Sequence, residues 1–151
     1  MHEEFTELLH LLQFVRLTPG REHKALCRFA QVLSPLAQQL LPFLGIDISG
    51  FAFAVDSYGL RHALTGHSQE RGSRDHYPLL EADILALPSW LTAPPVVKAS
   101  NPPKNALQPR RVRFERPELF SALKTVVVLE ARTGRKQLVL VTMSMYKTEN
   151  G

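Results

Sequence analysis

Two strand-like segments near the C-terminal end constrain the fold of this chain most. Residues 124–131 and 137–146 are rich in Val, Leu and Thr, and the sequence Arg132-Thr-Gly-Arg135 joins them. Because β-branched residues favour strands and Gly favours tight turns, this pattern predicts a β-hairpin.

Proline restricts the region before the hairpin. Seven of the eleven prolines lie between Pro88 and Pro117. Proline breaks helices, so this region cannot hold a long one. Its apolar runs predict short strands at 96–99 and 111–115, separated by a loop rich in Pro and Asn.

The first third of the chain has helical spacing instead. An amphipathic stripe at steps of three and four residues is formed by Phe5, Leu8, Leu9, Leu12 and Val15. Thr18-Pro19 and Ser34-Pro35 each place a capping hydroxyl before a proline, which is typical of helix starts. We therefore predict three helices, the second of which would turn Leu26, Phe29, Ala30 and Leu33 inward.

The middle of the chain predicts a strand followed by two short helices. Residues 51–55 form a short apolar run, and Asp56-Ser57 can cap a helix that ends near residue 65. A second short helix is expected at 81–87, where acidic residues come first. Together these elements predict an α+β fold: N-terminal helices packed on a small antiparallel β-sheet of about four strands.

Length and composition indicate one ordinary globular domain. The chain has 151 residues, of which 44% are hydrophobic and 21% charged. We expect a single domain over 1–151, with a helical part at 1–44 and an α+β part at 45–147. A lone cysteine, Cys27, cannot form an internal disulfide. The acidic start and the absence of a long apolar run predict a cytoplasmic protein with no membrane partner.

His62 and His67 are the first candidates for chemistry. They lie five residues apart, about 140° around a helix, and zinc-binding helices use a four-residue step. We therefore predict no metal site. With Arg71 and Arg74 nearby, the two imidazoles could transfer protons while guanidinium groups hold a phosphate. The alternative is a solvated helix surface whose histidine complements the helix dipole.

A second candidate is the basic stretch at 96–116, which has a net charge of +5. Arg111 and Arg113 alternate with Val112 and Phe114 on a predicted strand, so the two arginines would share one face. Such a face suits a nucleic-acid backbone or single-stranded bases. It also suits an edge strand that uses charge to avoid pairing with other chains.

The last predicted strand supplies hydroxyl groups. By the two-residue period, Thr142, Ser144 and Tyr146 share one face, and Val141 and Met143 lie on the other. A buried polar face without partners would be costly. The hydroxyl face is therefore expected to be exposed to solvent or to line a cleft.

Several segments carry a resemblance to a known family. They are Leu60-Arg-His62-Ala-Leu-Thr-Gly-His67, Gln69-Glu-Arg71-Gly, Pro78-Leu-Leu-Glu-Ala-Asp83-Ile-Leu-Ala-Leu-Pro88 and the closing hairpin, Val126–Glu130 with Leu138–Tyr146. In this order the chain resembles the phage-associated branch of the barnase–EndoU–colicin–RelE-like (BECR) nucleases. The resemblance covers roughly residues 45–147 and marks that part as nuclease-like.

The resemblance implies a metal-independent ribonuclease without a cofactor, of the kind found in toxins and phage-borne effectors. Such enzymes cleave RNA by attack of the 2′-hydroxyl on the adjacent phosphate, which needs a base, an acid and cations. The matching positions give His62 and His67 as acid and base, and Thr142 and Tyr146 as phosphate or base contacts. Arg61, Arg71 and Lys124 would contact phosphate.

The resemblance also implies partners and leaves alternatives. RNA is the expected substrate, and an immunity or antitoxin protein is a second candidate partner. The carboxylate base of barnase-type enzymes has no secure counterpart; Glu130 is a candidate, but it sits in a strand pattern that could point it to solvent. A non-catalytic RNA- or protein-binding module of a mobile element is therefore the alternative, with a structural role of the helical N-terminal part as a third hypothesis.

Overall fold

The structure is a computed structural model that describes residues 2–18, 24–64, 77, 79–100, 110–134 and 137–150. These residues form seven strands: β1 (His2–Phe5), β2 (Lys24–Gln31), β3 (Ala52–Asp56), β4 (Val96–Ala99), β5 (Arg111–Pro117), β6 (Leu123–Arg132) and β7 (Val139–Glu149). They also form five helices: α1 (Leu8–Leu17), α2 (Ser34–Leu44), α3 (Ser57–His62), α4 (Glu81–Leu85) and α5 (Leu87–Trp90).

All seven strands join one mixed sheet in the order β1-β2-β3-β7-β6-β5-β4. The pairs β1–β2 and β3–β7 are parallel, and the other pairs are antiparallel. The prediction of a small antiparallel sheet of about four strands is therefore wrong, whereas the coarser prediction of an α+β fold is confirmed.

The predicted second helix is the strand β2. Ala25 and Cys27 are buried on one face of this strand, and Arg28 is exposed on the other. A register shift between Arg28 and Ala30 marks a β-bulge, which adds a residue and breaks strict alternation. After the bulge, the apolar residues follow at spacings that are also typical of a helix.

The N-terminus also differs from prediction. Phe5 belongs to β1, which pairs with β2, so the first helix begins at Leu8 rather than near Phe5. With β1 and β2 in the sheet, the prediction of a wholly helical part at 1–44 is wrong. The helix predicted at Ser34-Pro35 is present, but Ser34 does not cap it: the N-cap is Leu33, without a side-chain hydrogen bond, and Pro35 lies in the first turn. The helix α2 continues past Pro42 and ends at Gly45, whose φ of 73° is a left-handed conformation that suits glycine.

Most other predicted elements are confirmed. The strands β3, β4 and β5 lie at the predicted positions, and β6 and β7 form the predicted antiparallel hairpin. The helix expected at 81–87 is divided into α4 and α5. The longest described helix, α2, has 11 residues, and no described helix is long and apolar enough to cross a membrane.

The described helices share one core with one face of the sheet. Each contributes buried side chains, among them Leu11, Leu40, Leu60, Ile84 and Trp90, to a cluster that includes Phe53, Phe114 and Leu129 of the strands. We call the face that carries Phe114 the helix-covered face. The opposite face, which carries Arg111, Arg113 and Glu115, is called the open face, since none of the described helices packs across it.

The open face has a small apolar cluster and many charged side chains. Ala54, Val139 and Val141 are buried there, and the partly buried side chains of Leu26, Ala52 and Met143 pack against them. The sheet therefore presents core on one side and a charged surface on the other.

Gly59 lets α3 pack against β7. A Cβ atom at this position would lie 2.6 Å from the carbonyl oxygen of Thr142, closer than a real contact allows. We expect Gly59→Ala to lower the free energy of unfolding by at least about 1 kcal/mol, because overpacking displaces the helix or the strand. Gly134→Ala is the matched control, since nothing lies within 4 Å of its Cβ position. Urea unfolding of both variants measures the difference, and equal stabilities would contradict the close packing of α3.

Candidate functional site

The helix α3 brings His62 to the sheet. Asp56, the last residue of β3, caps this helix by accepting a hydrogen bond of 2.7 Å from the Gly59 amide. Leu60 and Ala63 are buried in the core, as predicted, and Tyr58 and His62 are exposed on the other side of the helix. The local sequence thus fixes the helix by its cap and its apolar side and leaves the imidazole accessible.

His62 borders a cavity of about 330 Å³, which we call the His62 cavity. Its lining comes from α3, from the three strands β5, β6 and β7, and from the residue after β4: Tyr58, His62, Ser100, Arg111, Val128, Met143 and Ser144. An imidazole can transfer a proton near neutral pH, a guanidinium binds phosphate oxygens, and hydroxyls donate or accept hydrogen bonds. The cavity combines these three kinds of group.

A β-bulge decides which hydroxyls reach the cavity. Leu129 of β6 pairs with Thr142, but the adjacent Val128 pairs with Ser144, so Met143 is an extra residue in β7. Because neighbours on β6 point to opposite faces, Thr142 and Ser144 do as well. The prediction that Thr142, Ser144 and Tyr146 share one face is therefore wrong.

Thr142 lies on the helix-covered face. It pairs with Val55 and Leu129, both core residues, and is only 4% exposed. Its hydroxyl is buried and has no hydrogen-bond partner among the described residues. The structure thus does not bring the Thr142 hydroxyl to the His62 cavity. Ser144 takes that place, and Tyr146 follows it on the open face, opposite Val126.

Arg111 is held in the cavity wall by a buried carboxylate. Its Nε donates to Oε1 of Glu130 at 3.1 Å, and Arg132 donates from Nε to Oε2 of the same carboxylate at 3.0 Å. Glu130 is 4% exposed. The resemblance to BECR nucleases makes Glu130 the possible counterpart of a catalytic base, but both its oxygens accept hydrogen bonds from guanidinium groups. In this structure Glu130 positions Arg111 and Arg132.

A second buried carboxylate gathers three cations next to the cavity. Glu115, 3% exposed, contacts Lys124 at 2.8 Å and Lys98 at 3.2 Å through Oε1. Arg113 contacts its Oε2 at 3.0 Å, as an ion pair without hydrogen-bond alignment. We call these four residues the Glu115 cluster. It has three positive charges and one negative charge, and Arg113 pairs with Val128 of the cavity wall.

The cations of the Glu115 cluster determine its titration. Burial by itself raises the pKa of the Glu115 carboxyl, but the hydrogen bonds and charges of Lys124 and Lys98 outweigh burial and hold that pKa below its ordinary value. The carboxylate therefore stays ionised, and it keeps three cationic side chains in fixed positions on the open face.

The remaining predicted residues lie elsewhere. The Arg61 guanidinium donates to the carbonyl oxygen of Thr18 at 2.7 Å, so it binds the end of α1 and is not part of the His62 cavity. Lys124 belongs to the Glu115 cluster. His67 and Arg71 lie outside the described residues. Within the described ranges, no three His, Cys, Asp or Glu side chains are arranged to hold a metal ion.

Sequence reasoning missed the two carboxylates as organising groups. Glu115 and Glu130 are acidic residues inside strands that are otherwise apolar or basic, and charged groups in such positions are rarely buried without partners. That signal could have identified them. Ser100 carries no signal, because only the fold brings it beside the cavity.

Comparison of the chain with protein-family models, with curated proteins and with solved structures finds no match. The resemblance to BECR nucleases therefore stays a prediction, and the function is inferred from the chemistry of the His62 cavity and its surroundings.

The pKa of Glu115 predicts an acid-sensitive contribution to stability. Because this pKa is lower in the folded protein than in the unfolded chain, the contribution is complete above the ordinary carboxyl pKa of about 4.3 and is lost as the pH falls through the lower folded value. We expect Glu115→Gln to destabilise the protein at pH 7 by about 1–3 kcal/mol, and less at pH 3.

Urea unfolding of wild type and variant across this pH range measures the effect. Glu4→Gln is the control, because Glu4 forms an exposed pair with Arg28 and exposed pairs contribute at most about 1 kcal/mol. A difference between Glu115→Gln and wild type that does not shrink toward pH 3 would contradict the assignment.

Proposed function

We propose that this protein is a metal-independent ribonuclease that cleaves RNA at the His62 cavity. One observation carries the proposal: an exposed imidazole, a fixed guanidinium and a hydroxyl, from His62, Arg111 and Ser144, line the same cavity. The resemblance to BECR nucleases supports the same chemistry. The proposal includes a cytoplasmic location, where RNA is present, and an immunity or antitoxin protein as a further partner.

The reaction is an internal transfer at phosphorus. The 2′-oxygen forms a bond to the adjacent phosphorus while the bond to the 5′-oxygen breaks, which leaves a 2′,3′-cyclic phosphate and a 5′-hydroxyl. A base removes the 2′-hydroxyl proton and an acid protonates the leaving oxygen. His62 takes one of these roles, and His67, outside the described residues, is proposed for the other.

Arg111 has the electrostatic role in this mechanism. Negative charge on the phosphate oxygens increases in the transition state, and a guanidinium that is already in place stabilises it without reorganisation. Because Glu130 holds the Arg111 Nε, the remaining guanidinium nitrogens are those offered to phosphate. Ser144 would donate a hydrogen bond to a phosphate oxygen, and Tyr146 would contact a neighbouring nucleotide.

His62→Ala tests the catalytic role. We expect purified variant protein to cleave single-stranded RNA at least about a hundredfold more slowly than wild type in excess EDTA, the scale that general acid–base catalysis contributes. Because His62 is exposed, the variant is expected to stay folded, and urea unfolding checks this. His10→Ala is the matched control, because His10 is an exposed histidine on α1.

Two results would reject the proposal. One is cleavage by His62→Ala at the wild-type rate. The other is wild-type activity that is lost in EDTA and restored by zinc, which would indicate a metal site. Product analysis adds a check, because 2′-hydroxyl attack must leave 2′,3′-cyclic phosphate ends.

The Glu115 cluster favours a second candidate, RNA binding without cleavage. The cluster lies beside the cavity and has a net charge of +2. This charge can attract a phosphate backbone without any catalytic group. In that case RNA would bind but stay intact, and His62→Ala would not alter affinity.

If the protein binds RNA, the affinity should depend on the two arginines of β5. We expect Arg111→Ala/Arg113→Ala to weaken RNA binding and to reduce the slope of log affinity against log salt by about 0.7 for each phosphate that the variant no longer neutralises. Arg16→Ala/Arg28→Ala removes the same charge from α1 and β2 and serves as the control. Fluorescence anisotropy with labelled RNA at several salt concentrations measures both, and equal effects of the two pairs would contradict binding at β5.

A further inference from the structure

Arg132 makes contacts that connect three parts of the His62 cavity without lining it. Its Nε donates to Glu130 at 3.0 Å, one terminal nitrogen lies 3.4 Å from Oδ2 of Asp56, and the other donates to the sulfur of Met143 at 3.1 Å. All three guanidinium nitrogens are thus engaged, each by a different residue.

Each contact of Arg132 leads to a different component of the cavity. Asp56 caps α3, the helix that carries His62. Glu130 holds the guanidinium of Arg111. Met143 is the bulged residue of β7, directly before Ser144. The side chain of Arg132 is less than one-third exposed, so its partners are partly shielded from water.

We propose that Arg132 is a positioning residue that sets the geometry of His62 relative to Arg111 and Ser144. This inference rests on the proposed ribonuclease function and adds a residue that neither the hairpin pattern nor the cavity lining indicates. A planar guanidinium presents its donors in a rigid fork, whereas a lysine ammonium is a compact charge with rotatable donors on a flexible stem. Errors of about 1 Å in the placement of catalytic groups can slow a reaction roughly a hundredfold.

The contacts of Arg132 form a chain, which we call the relay, from α3, the helix that carries His62, to Arg111. Oδ1 of Asp56 accepts from the Gly59 amide and Oδ2 faces Arg132, so the cap is oriented by the same guanidinium that aligns Glu130. Without Arg132, the Asp56 carboxylate can rotate, and the Glu130 carboxylate can move together with the Arg111 guanidinium that it holds. Both ends of the cavity then lose their fixed separation.

Arg132→Gln and Arg132→Lys test the positioning role. We expect both to lower kcat by about tenfold to a hundredfold, with KM changed less than about threefold, because Arg132 does not touch the substrate. Lysine keeps the charge, so failure of Arg132→Lys to restore kcat separates geometry from charge. Arg28→Gln is the control, since Arg28 lies in β2 of the same sheet and pairs with the exposed Glu4, away from the cavity.

A double-mutant cycle adds a second measurement. If Arg132 and Glu130 act in one network, the kcat of Arg132→Gln/Glu130→Gln should fall much less than the product of the two single effects. If the effects of the two single substitutions on kcat simply multiply, the proposed relay is overturned. So would a rise in KM that high salt removes, because that result would make Arg132 a simple phosphate contact.

Hydrogen exchange separates this inference from the proposed function. The Gly59 amide donates to Asp56, so it should exchange faster in Arg132→Gln than in wild type, while amides inside α2 keep their rates. An unchanged Gly59 rate overturns the positioning role. If wild type cleaves no RNA, the proposed function fails, and Gly59 exchange still decides whether Arg132 orients the cap of α3.

Discussion

Two buried carboxylates in the middle of strands determine how the charged face of this protein is organised. Glu115 and Glu130 are almost fully buried, and a carboxylate in that position is stable only with charged hydrogen-bond partners. Each therefore fixes basic side chains around it, three at Glu115 and two at Glu130. The two acids thus hold the basic side chains of this surface in place.

This arrangement suits an anionic ligand. Basic side chains that are already held in place lose little conformational freedom when a phosphate binds, and they stabilise developing charge without reorganisation. The described helices pack on the other face, so none of them covers the cations of the open face. The same property serves an enzyme and a binding module, and what separates the two is whether His62 transfers a proton.

Local patterns in the sequence predict a large part of the fold. The hairpin, the strands β3, β4 and β5, the helix α2 and the accessibility of His62 all follow from periodicity, caps and turn residues within a few positions. The errors have a common cause. Bulges in β2 and β7 break the two-residue period, so β2 imitates a helix and strict alternation places Thr142 on the wrong face. A bulge forms between paired strands and is not visible in one strand alone.

The amino-acid sequence alone indicates which segments are apolar, where α2 and the turn of the closing hairpin lie, and that basic residues and an exposed histidine lie on separate elements. Three features appear only in the folded protein: β1 and β2 extend the sheet, Ser144 rather than Thr142 reaches the cavity, and Arg132 contacts Asp56, Glu130 and Met143. The difference lies in the distance along the chain over which each interaction acts. Propensity and periodicity act between neighbours along the chain, whereas strand order, register and ion pairing are selected by the burial of the whole core.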